Sequence, residues 1–466
     1  MYLTRVSPLY THTMICTTRV PSDRVCGIHR VRSSSRHIAH GANADVGILG
    51  AGAAGLTAAY FAAIHGCRVV LYEKTEESGS KIRISGGSRC NILPGSLSIE
   101  DDFFSESKRG CLKTIFGQWT LEECRSWLEN DIGIELKYEE DTNKLFPVSD
   151  SGKHVRDSLL QACLKTGNVQ IRYSKDVSMI QPLESSQYAC SFSDGSRGVH
   201  DKIILATGGR SFPTMGTTGA GFDILSECLG HTLRDPYPAL TPLQGTIPGS
   251  GYELAGVSLS TVDVSAAMKQ PSTGKRKKKI HATRHDILFT HRGYSGPSIL
   301  DISHYYTMAK RRDEMHSPEL AVSWNASISE EAWRTALSDG ANTKVSSVLR
   351  KFGGIPARLA KALCIESGIP EERVLAEIRK EEKTALLQRL VRYPLGIHGD
   401  EGYPKAEVTG GGVKLEELDC TTMESRLHKN LYIIGELCDI HGRIGGFNFL
   451  FAWFSGRMAG TDVSSS

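Results

Sequence analysis

The sequence lacks any CxxC pair, although it contains 12 cysteines. This argues against a zinc ribbon, a dithiol redox centre and a disulfide framework, and it favours free thiols in a reducing compartment. The sequence also lacks a charge imbalance, because 55 basic and 52 acidic residues give a formal net charge of +3. The apolar run at 46–64 is broken by glycines, and the run at 447–454 is too short to cross a bilayer. We therefore predict no integral membrane association.

Residues 1–43 differ in composition from the rest of the chain. They contain six arginines and many Ser and Thr, but no lysine and a single acid, Asp23. This composition is typical of an organellar transit peptide, and the uncharged apolar core of a secretory signal is missing. A disordered tail with no targeting role is the alternative. We predict a soluble organellar protein, in a chloroplast rather than a mitochondrion.

A GxGxxG pattern at 46–55, VGILGAGAAG, is the most informative motif. It follows a short apolar strand and opens an alanine-rich helix. Gly50 allows the tight turn, Gly52 lets the backbone approach a pyrophosphate, and Gly55 lets the helix pack on its strand. A second strand ends at Glu73, where a carboxylate would bind a ribose hydroxyl. The pattern predicts a dinucleotide with its phosphates at the helix N-terminus.

The alternation of strands, helices and glycine turns predicts an α/β fold whose nucleotide-binding domain is split by an insertion. The predicted segments are a tail (1–43), the first part of the nucleotide-binding domain (44–235), an inserted lobe (236–400) and the C-terminal part of the domain (401–466). The C-terminal part would supply a last strand to the sheet.

Local patterns give further expectations. Residues 101–175 are predicted to be mostly helical, and a strand at 169–173 is predicted to begin a β-meander. Within the insertion, residues 240–325 are predicted to be short strands and turns. Residues 328–392 are predicted to be helical, with Pro356 and Pro370 opening helices.

Three ordered motifs carry a family resemblance: the fingerprint at 46–55, KIRISGGSRCN at 81–91 and GELCDIHGRIGGFN at 435–448. Shorter matches follow at 206–221, 289–297, 409–413 and 422–425. Together they resemble the YhiN-like, or BaiN-like, flavoproteins, which are FAD-dependent oxidoreductases. Ser88 is a departure, because the family loop reads SGGGRCN.

The resemblance implies a Rossmann-like FAD-binding domain interrupted by a lobe that is part β-barrel-like and part helical. The fingerprint would hold the ADP half of FAD, and the last glycine loop would approach the isoalloxazine. The implied cofactor-binding residues are Gly50, Gly52, Ala53, Ala54, Gly55, Glu73, Lys74, Lys81, Gly86, Gly87, Arg89, Asn91, Ala206, Thr207, Gly208, Gly209, Gly435, Glu436, Asp439, Gly445, Gly446 and Asn448.

Only one dinucleotide fingerprint is evident. NAD(P)H would therefore visit the flavin transiently, or the reductant is a different molecule. Reduction of a polarised C=C bond is the most economical reaction, and it needs a proton donor. Cys90 is the candidate acid, with Arg89 shifting the thiol towards thiolate. As alternatives, Cys90 packs structurally, Arg89 binds an anionic substrate or the flavin, and His291 or His441 acts as an acid or orienting group.

Family members have been associated with reduction of steroid-type rings and of a uridine in large-subunit ribosomal RNA. The basic run Lys275–Lys279 favours RNA, because lysines contact phosphates, although a solvated loop is the alternative. An oxidase, a reductase of a small unsaturated cyclic metabolite and a non-enzymatic, FAD-stabilised RNA-binding or assembly factor stay open.

Overall fold

The computed structural model describes residues 46–249, 254–268, 278–312 and 318–464. The predicted transit peptide lies outside the described residues. So do residues 275–277 of the basic run, and the side chains of Lys278 and Lys279 are not described either. The described residues belong to one compact unit, Asn43–Ser466. Among them, no helix combines the length and apolarity that a bilayer span requires.

The first half of the chain alternates short strands and helices. Its elements are β1 (Val46–Leu49), α1 (Ala53–Ile64), β2 (Val69–Tyr72), α2 (Ser80–Ile84), β3 (Leu93–Pro94), α3 (Ile99–Asp102), β4 (Phe103–Phe104), α4 (Arg109–Phe116), α5 (Leu121–Ser126), β5 (Leu136–Glu139), β6 (Lys144–Pro147), α6 (Gly152–Lys165), β7 (Val169–Arg172), β8 (Val177–Pro182), β9 (Tyr188–Phe192), β10 (Arg197–His200), β11 (Lys202–Leu205) and α7 (Ala220–Asp223).

The second half contains the longest strands and returns to short elements at its end. Its elements are β12 (Leu233–Ala239), β13 (Leu243–Gln244), β14 (Ser258–Met268), β15 (Lys278–Phe289), β16 (Gly293–Ser295), α8 (Pro297–Arg311), β17 (Glu319–Ser323), α9 (Glu330–Ala336), α10 (Val345–Lys351), α11 (Ala357–Glu366), α12 (Lys380–Val391), β18 (Tyr393–Pro394), β19 (Gly399–Asp400), β20 (Val408–Val413), β21 (Leu431–Ile433), β22 (His441–Gly442) and α13 (Phe447–Asp462). Single turns of 3-10 or π helix lie at Trp127–Asp131, Pro213–Met215, Ile224–Cys228, Leu375–Glu377, Leu415–Glu417 and Gly435–Leu437.

A parallel sheet with the strand order β21-β11-β1-β2-β7 forms the centre of the nucleotide-binding domain. Its central strands β1 and β2 are buried along their whole length, as expected for a parallel sheet covered on both faces. The C-terminal strand β21 pairs with β11, so the C-terminal part of the chain completes the sheet. The predicted α/β class is confirmed.

The insertion has its own sheet, in the order β18-β17-β14-β15-β16-β13-β19, and its own apolar core between Leu243 and Leu395. The chain leaves the first domain along β12 and returns along β20, and these two strands pair antiparallel. The exact boundaries of the predicted segments stay predictions.

Four local predictions were wrong. Residues 101–175 are not mostly helical, because they include the strands β4, β5, β6 and β7. Val169–Arg172 is the edge strand of the parallel sheet, where it pairs with β2, and the meander consists of β8, β9 and β10. Pro356 does precede a helix, but Pro370 precedes a turn. Helix α8 lies in residues predicted as strands and turns. Its signals were Pro297 at the first helical position and an apolar face at helical spacing.

Candidate functional site

A cavity of about 530 Å³ lies at the carboxyl ends of β1, β2, β11 and β21. We call it the glycine-lined cavity. In open α/β sheets this edge is where ligands bind, because the loops that leave neighbouring parallel strands diverge there. The cavity runs from the turn after β1 to the loop before α13.

Most of the residues predicted to bind the cofactor line this cavity. They are Gly50, Gly52, Ala53, Ala54, Glu73, Lys74, Lys81, Gly86, Gly87, Asn91, Ala206, Thr207, Gly208, Gly435, Glu436, Gly445, Gly446 and Asn448. The sequence separates these residues by up to about four hundred positions, and the sheet topology brings them to one surface. Their role in binding stays a prediction.

Gly55, Gly209, Arg89 and Asp439 do not line the cavity. A Cβ on Gly209 would lie 2.3 Å from Thr409 Oγ1, so this glycine serves close packing. Asp439 is buried, and burial raises its pKa to about 6 even though Oδ2 accepts a hydrogen bond of 2.8 Å from Ser107 Oγ. Asp439 therefore ties the 105–107 segment to the C-terminal segment.

Hydrogen bonds fix the turn after β1 and place the start of α1 at the cavity. Gly50 N donates to Tyr72 O at 2.8 Å, and Ala51 N donates to Glu73 Oε2 at 2.9 Å. Helix α1 begins at Ala53 without a side-chain cap, so its first N–H groups point outwards at its positive end. A Cβ on Gly52 would meet nothing within 4 Å, which leaves room for a group to approach this backbone.

Lys81 and Glu436 form an ion pair on the wall of the cavity. Lys81 Nζ lies 2.8 Å from Glu436 Oε2, while Glu436 Oε1 accepts from Ser211 Oγ at 2.8 Å and from Thr409 N at 2.7 Å. Burial by itself would raise the pKa of Glu436, but the Lys81 ammonium and these hydrogen bonds lower it below its ordinary value. Glu436 is thus held as a carboxylate.

Two asparagines fix the loop that precedes α13. Asn448 accepts from Gly442 N at 2.8 Å and donates to Gly442 O at 2.9 Å. With the Asn91 amide turned so that its donor and acceptor atoms both find partners, its oxygen accepts from Gly446 N at 3.2 Å. The loop is therefore held at both ends, with Gly445 and Gly446 facing the cavity.

The thiol of Cys90, the candidate acid, is not activated in this structure, and its role as an acid stays a prediction. Its side chain is fully buried and does not line the glycine-lined cavity, and burial raises the thiol pKa to about 12. Arg89 forms ion pairs with Glu139 and Asp150 and lies over the Phe146 ring. The expected shift of Cys90 towards thiolate was therefore wrong.

A second cavity of about 570 Å³ lies beside the first, and we call it the histidine cavity. It is lined by His285, His304, His441 and Asp301, by aromatic residues of β4 and α8, and by Arg443. Arg443 also lines the glycine-lined cavity, so the two cavities meet at its side chain. The other predicted histidine, His291, is exposed and lines neither cavity.

Asp301 is a carboxyl group of the histidine cavity that can hold its proton near neutral pH. It is 5% exposed, and Oδ1 accepts from Ile444 N at 2.7 Å. Burial raises its pKa to about 7, although the Ile444 hydrogen bond and the Arg443 charge oppose the shift. Burial lowers the pKa of His441 to about 4, so this imidazole is neutral.

Sequence analysis missed Asp301, Arg443 and His285, which line the histidine cavity. Arg443 lies inside a motif that had been identified, and it could have been found as the only cation of the 435–448 segment. Asp301 could have been found only with α8, whose i, i+3 and i+4 spacing aligns Asp301, His304 and Tyr305 on one face.

The glycine-lined cavity fits a dinucleotide. An uncapped helix N-terminus beside Gly52 suits a pyrophosphate, and Glu73 lies at the end of the neighbouring strand as a ribose partner would. The cavity then continues past the Lys81–Glu436 pair to the Gly445–Gly446 loop, which leaves a place for a second, flat moiety.

A family model described as "HI0933-like protein Rossmann domain" matches residues 44–462. The chain belongs to the HI0933-like family. This confirms the membership that the motifs indicated, in a family of FAD-dependent oxidoreductases.

Two relatives in the HI0933-like family show its range. The chain is 31% identical over 424 residues to a protein named ribosomal RNA dihydrouridine synthase from Escherichia coli, covering 90% of this chain and 98% of the relative. It is 27% identical over 424 residues to a 3-dehydro-bile acid delta(4,6)-reductase from Clostridium scindens, covering 89% and 98%.

Solved structures are more distant from this HI0933-like protein. The FrdA chain of E. coli quinol fumarate reductase has a TM-score of 0.46 at 15% identity, covering 91% of this chain and 70% of that one. A 3-ketosteroid-delta4-(5alpha)-dehydrogenase from Rhodococcus jostii RHA1 has a TM-score of 0.41 at 15% identity, covering 93% and 99%. Likeness at this level carries no functional information.

Proposed function

We propose that this protein binds FAD in the glycine-lined cavity and reduces a C=C bond that is conjugated to a ring carbonyl. The substrate we favour is a uridine of organellar large-subunit ribosomal RNA, with NAD(P)H as a transient reductant. The observation that carries the proposal is a dinucleotide-sized cavity that meets, at Arg443, a second cavity containing a protonatable carboxyl group. An enzyme that passes a hydride from a cofactor to an acceptor needs two such adjoining sites.

The relatives' names support the same chemistry. Dihydrouridine is uridine with its C5=C6 bond reduced, and that bond is conjugated to a ring carbonyl. A 3-dehydro-bile acid with double bonds at positions 4 and 6 carries the same kind of conjugation. The relative at 31% identity favours the RNA substrate, and the arginine-rich, lysine-free N-terminal segment supports an organelle.

FAD supplies hydride chemistry, and the protein supplies binding and orientation. Residues of the β1–α1 turn would hold the pyrophosphate, and Glu73 the ribose. The fixed negative charge of Glu436, paired with Lys81, would orient the middle of the cofactor through hydrogen bonds. Asn91 and Asn448 keep the Gly445–Gly446 loop in place, so the flat ring would bind against a rigid surface.

Purification of the full-length protein, with release and chromatographic identification of its flavin, tests the cofactor. Anaerobic addition of NADH or NADPH then tests the reductant, with bleaching of the oxidised flavin band as the readout. Absence of bound flavin, together with no affinity for added FAD, would overturn the proposal.

Ribosomal RNA from cells with and without the gene tests the substrate. We expect one dihydrouridine in the organellar large-subunit RNA to disappear in the knockout, and unchanged modification would exclude this substrate. A fluorescent fusion of residues 1–43 tests the targeting, with diffuse cytosolic fluorescence as the contrary result.

A small unsaturated cyclic metabolite is the second candidate substrate. The relative named as a bile acid reductase favours it, because that acceptor is a free ring compound. Turnover with a cyclic enone, but none with RNA, would select this alternative.

A further inference from the structure

This inference rests on the proposed function, the reduction of a conjugated C=C bond. That reaction has three chemical requirements. The β-carbon accepts a hydride, with two electrons, from the reduced cofactor. The displaced π pair moves towards the carbonyl oxygen, which becomes negatively charged. The α-carbon then takes a proton from an acid, and the product has gained H⁻ and H⁺ across the former double bond. A cation at the oxygen and a neutral acid near the α-carbon therefore lower the barrier.

Arg443 is placed to supply the cation at the carbonyl oxygen. Its Nε donates to Asp102 Oδ1 at 2.6 Å, and its backbone N donates to Asp102 O at 2.9 Å. The guanidinium also lies 4.8 Å from the Phe447 ring centroid. Among the described residues, no acceptor is recorded for its Nη atoms. The guanidinium is thus oriented from one side, and its other edge remains available where the two cavities meet.

Asp301 is placed to supply the neutral acid near the α-carbon. It lines the histidine cavity, and its Oδ1 is held by the N–H of Ile444, the residue next to Arg443. Ile444 itself lines the glycine-lined cavity. The carboxyl group and the cation therefore lie on the same short segment of wall between the cavities.

Flat side chains surround the rest of this cavity. The His304 ring lies 4.4 Å from the Phe104 ring and 4.1 Å from the Tyr305 ring, measured between centroids. The centroid of the His441 ring lies 5.4 Å from that of the Phe104 ring. His441 is 4% exposed, and its Nδ1 has no hydrogen-bond partner among the described residues. A flat ring can stack here and offer a polar edge to the buried imidazole.

We propose that the histidine cavity is the acceptor site, and that it takes a planar ring in which a C=C bond is conjugated to a carbonyl group. Arg443 binds the carbonyl oxygen, and Asp301 gives its proton to the α-carbon. The Asp301 O–H bond breaks as the new C–H bond forms, and the carboxylate regains a proton from solvent. For RNA, the ring is a pyrimidine extruded from its strand. For a metabolite, it is the free ring.

The test compares Arg443→Lys and Asp301→Asn with the wild type. Asn can still accept from Ile444 N, and Lys keeps the charge opposite Asp102, so both variants are expected to fold. Arg334→Lys and Asp339→Asn, on the exposed surface around α9, are the matched controls. Flavin content per protein and chemical reduction by dithionite show that each variant is loaded and reducible.

Two measurements then use a uridine-containing single-stranded oligonucleotide and a 3-oxo-4,6-diene steroid as probes. The first is equilibrium binding to the oxidised protein, followed by perturbation of the flavin spectrum. The second is anaerobic reoxidation of the reduced protein in a stopped-flow instrument. We expect Arg443→Lys to raise Kd about tenfold or more. We expect Asp301→Asn to slow reoxidation at least about 100-fold with Kd changed less than about threefold. The controls should match the wild type.

The outcomes separate this inference from the proposed function. Normal wild-type reoxidation with Arg443→Lys and Asp301→Asn equal to their controls overturns the acceptor site and leaves the function intact. Binding that is lost in Arg443→Lys, without reoxidation of the wild type, supports the site but overturns the function. Neither binding nor reoxidation overturns both. Reoxidation by the oligonucleotide alone, or by the steroid alone, assigns the source of the ring.

Discussion

Substitution of Gly55 by alanine tests whether the turn after β1 is the structural anchor of the cofactor site. A Cβ at this position would lie 1.9 Å from Gly50 O and 3.3 Å from Ala206 Cβ. Contacts below 3.0 Å are essentially never seen for a real Cβ, so α1 and the turn must separate by about 1.1 Å. Gly50 cannot move freely, because its N–H is bound to Tyr72 O and its φ is +105°.

The magnitude follows from two opposing effects. Forcing backbone apart in a well-packed region costs about 2–3 kcal/mol, while alanine gains about 1 kcal/mol over glycine within a helix. We therefore expect Gly55→Ala to lower the free energy of unfolding by about 1–2 kcal/mol. This corresponds to a factor of about 5–30 in the ratio of folded to unfolded protein. Because the displaced N–H groups face the cavity, FAD affinity should fall as well.

Gly52→Ala is the matched control. Its Cβ meets no protein atom within 4 Å but projects towards the cavity, so it should reduce FAD affinity while changing stability by no more than about 0.5 kcal/mol. Urea unfolding of flavin-free protein measures stability, and titration with FAD measures affinity. Wild-type stability in Gly55→Ala would refute the reasoning from close packing.

Three further outcomes are expected. Ser88 is exposed and has a φ of +70°, where a non-glycine residue is strained by about 1–2 kcal/mol. After the entropic cost of glycine is subtracted, Ser88→Gly should raise the free energy of unfolding by about 0.5 kcal/mol. A lower free energy of unfolding in urea would contradict this. The buried Cys90 thiol, whose pKa is raised to about 12, should resist alkylation by iodoacetamide in the native protein, while the exposed Cys228 reacts. Mass spectrometry maps the labelled cysteines, and equal labelling of the two would argue against the burial of Cys90. Burial raises the pKa of Asp301 from 3.8 to about 7, so between these pH values the folded protein keeps a proton that the unfolded chain loses. The contribution of this group to the free energy of unfolding is therefore fully present below about pH 4 and is lost as the pH rises to about 7. Asp301→Asn should remove this decline in stability, which amounts to at most about 4 kcal/mol at 1.36 kcal/mol per pKa unit. If the variant and the wild type show the same dependence of stability on pH between about 4 and 7, the pKa of Asp301 is not raised.

The β1–α1–β2 unit was predictable because its signals are local. Gly50, Gly52 and Glu73 lie within one short βαβ unit, where residue spacing fixes their geometry. The same holds for the C-terminal return to the sheet, since the apolar run at β21 ends in a glycine turn like those after β1 and β11. Cys90 was misjudged for the opposite reason. Its sequence neighbour Arg89 turns away to pair with Glu139 and Asp150, which are remote in the chain.

The sequence by itself determined the α/β class, the dinucleotide fingerprint and the family. Strand–turn–helix geometry depends on residues that are close together in the chain, and the order of the motifs can be read directly from the sequence. Tertiary structure alone decided which charged groups meet. Asp301 lies on a helix of the insertion, and Arg443 lies in the C-terminal segment. The pairing of β4 with β22 brings Asp102 to Arg443, and the hydrogen bond from Ile444 N to Asp301 Oδ1 joins the insertion to the same segment. Burial at that junction, which no sequence window records, turns an ordinary aspartate into a group that holds its proton near neutral pH.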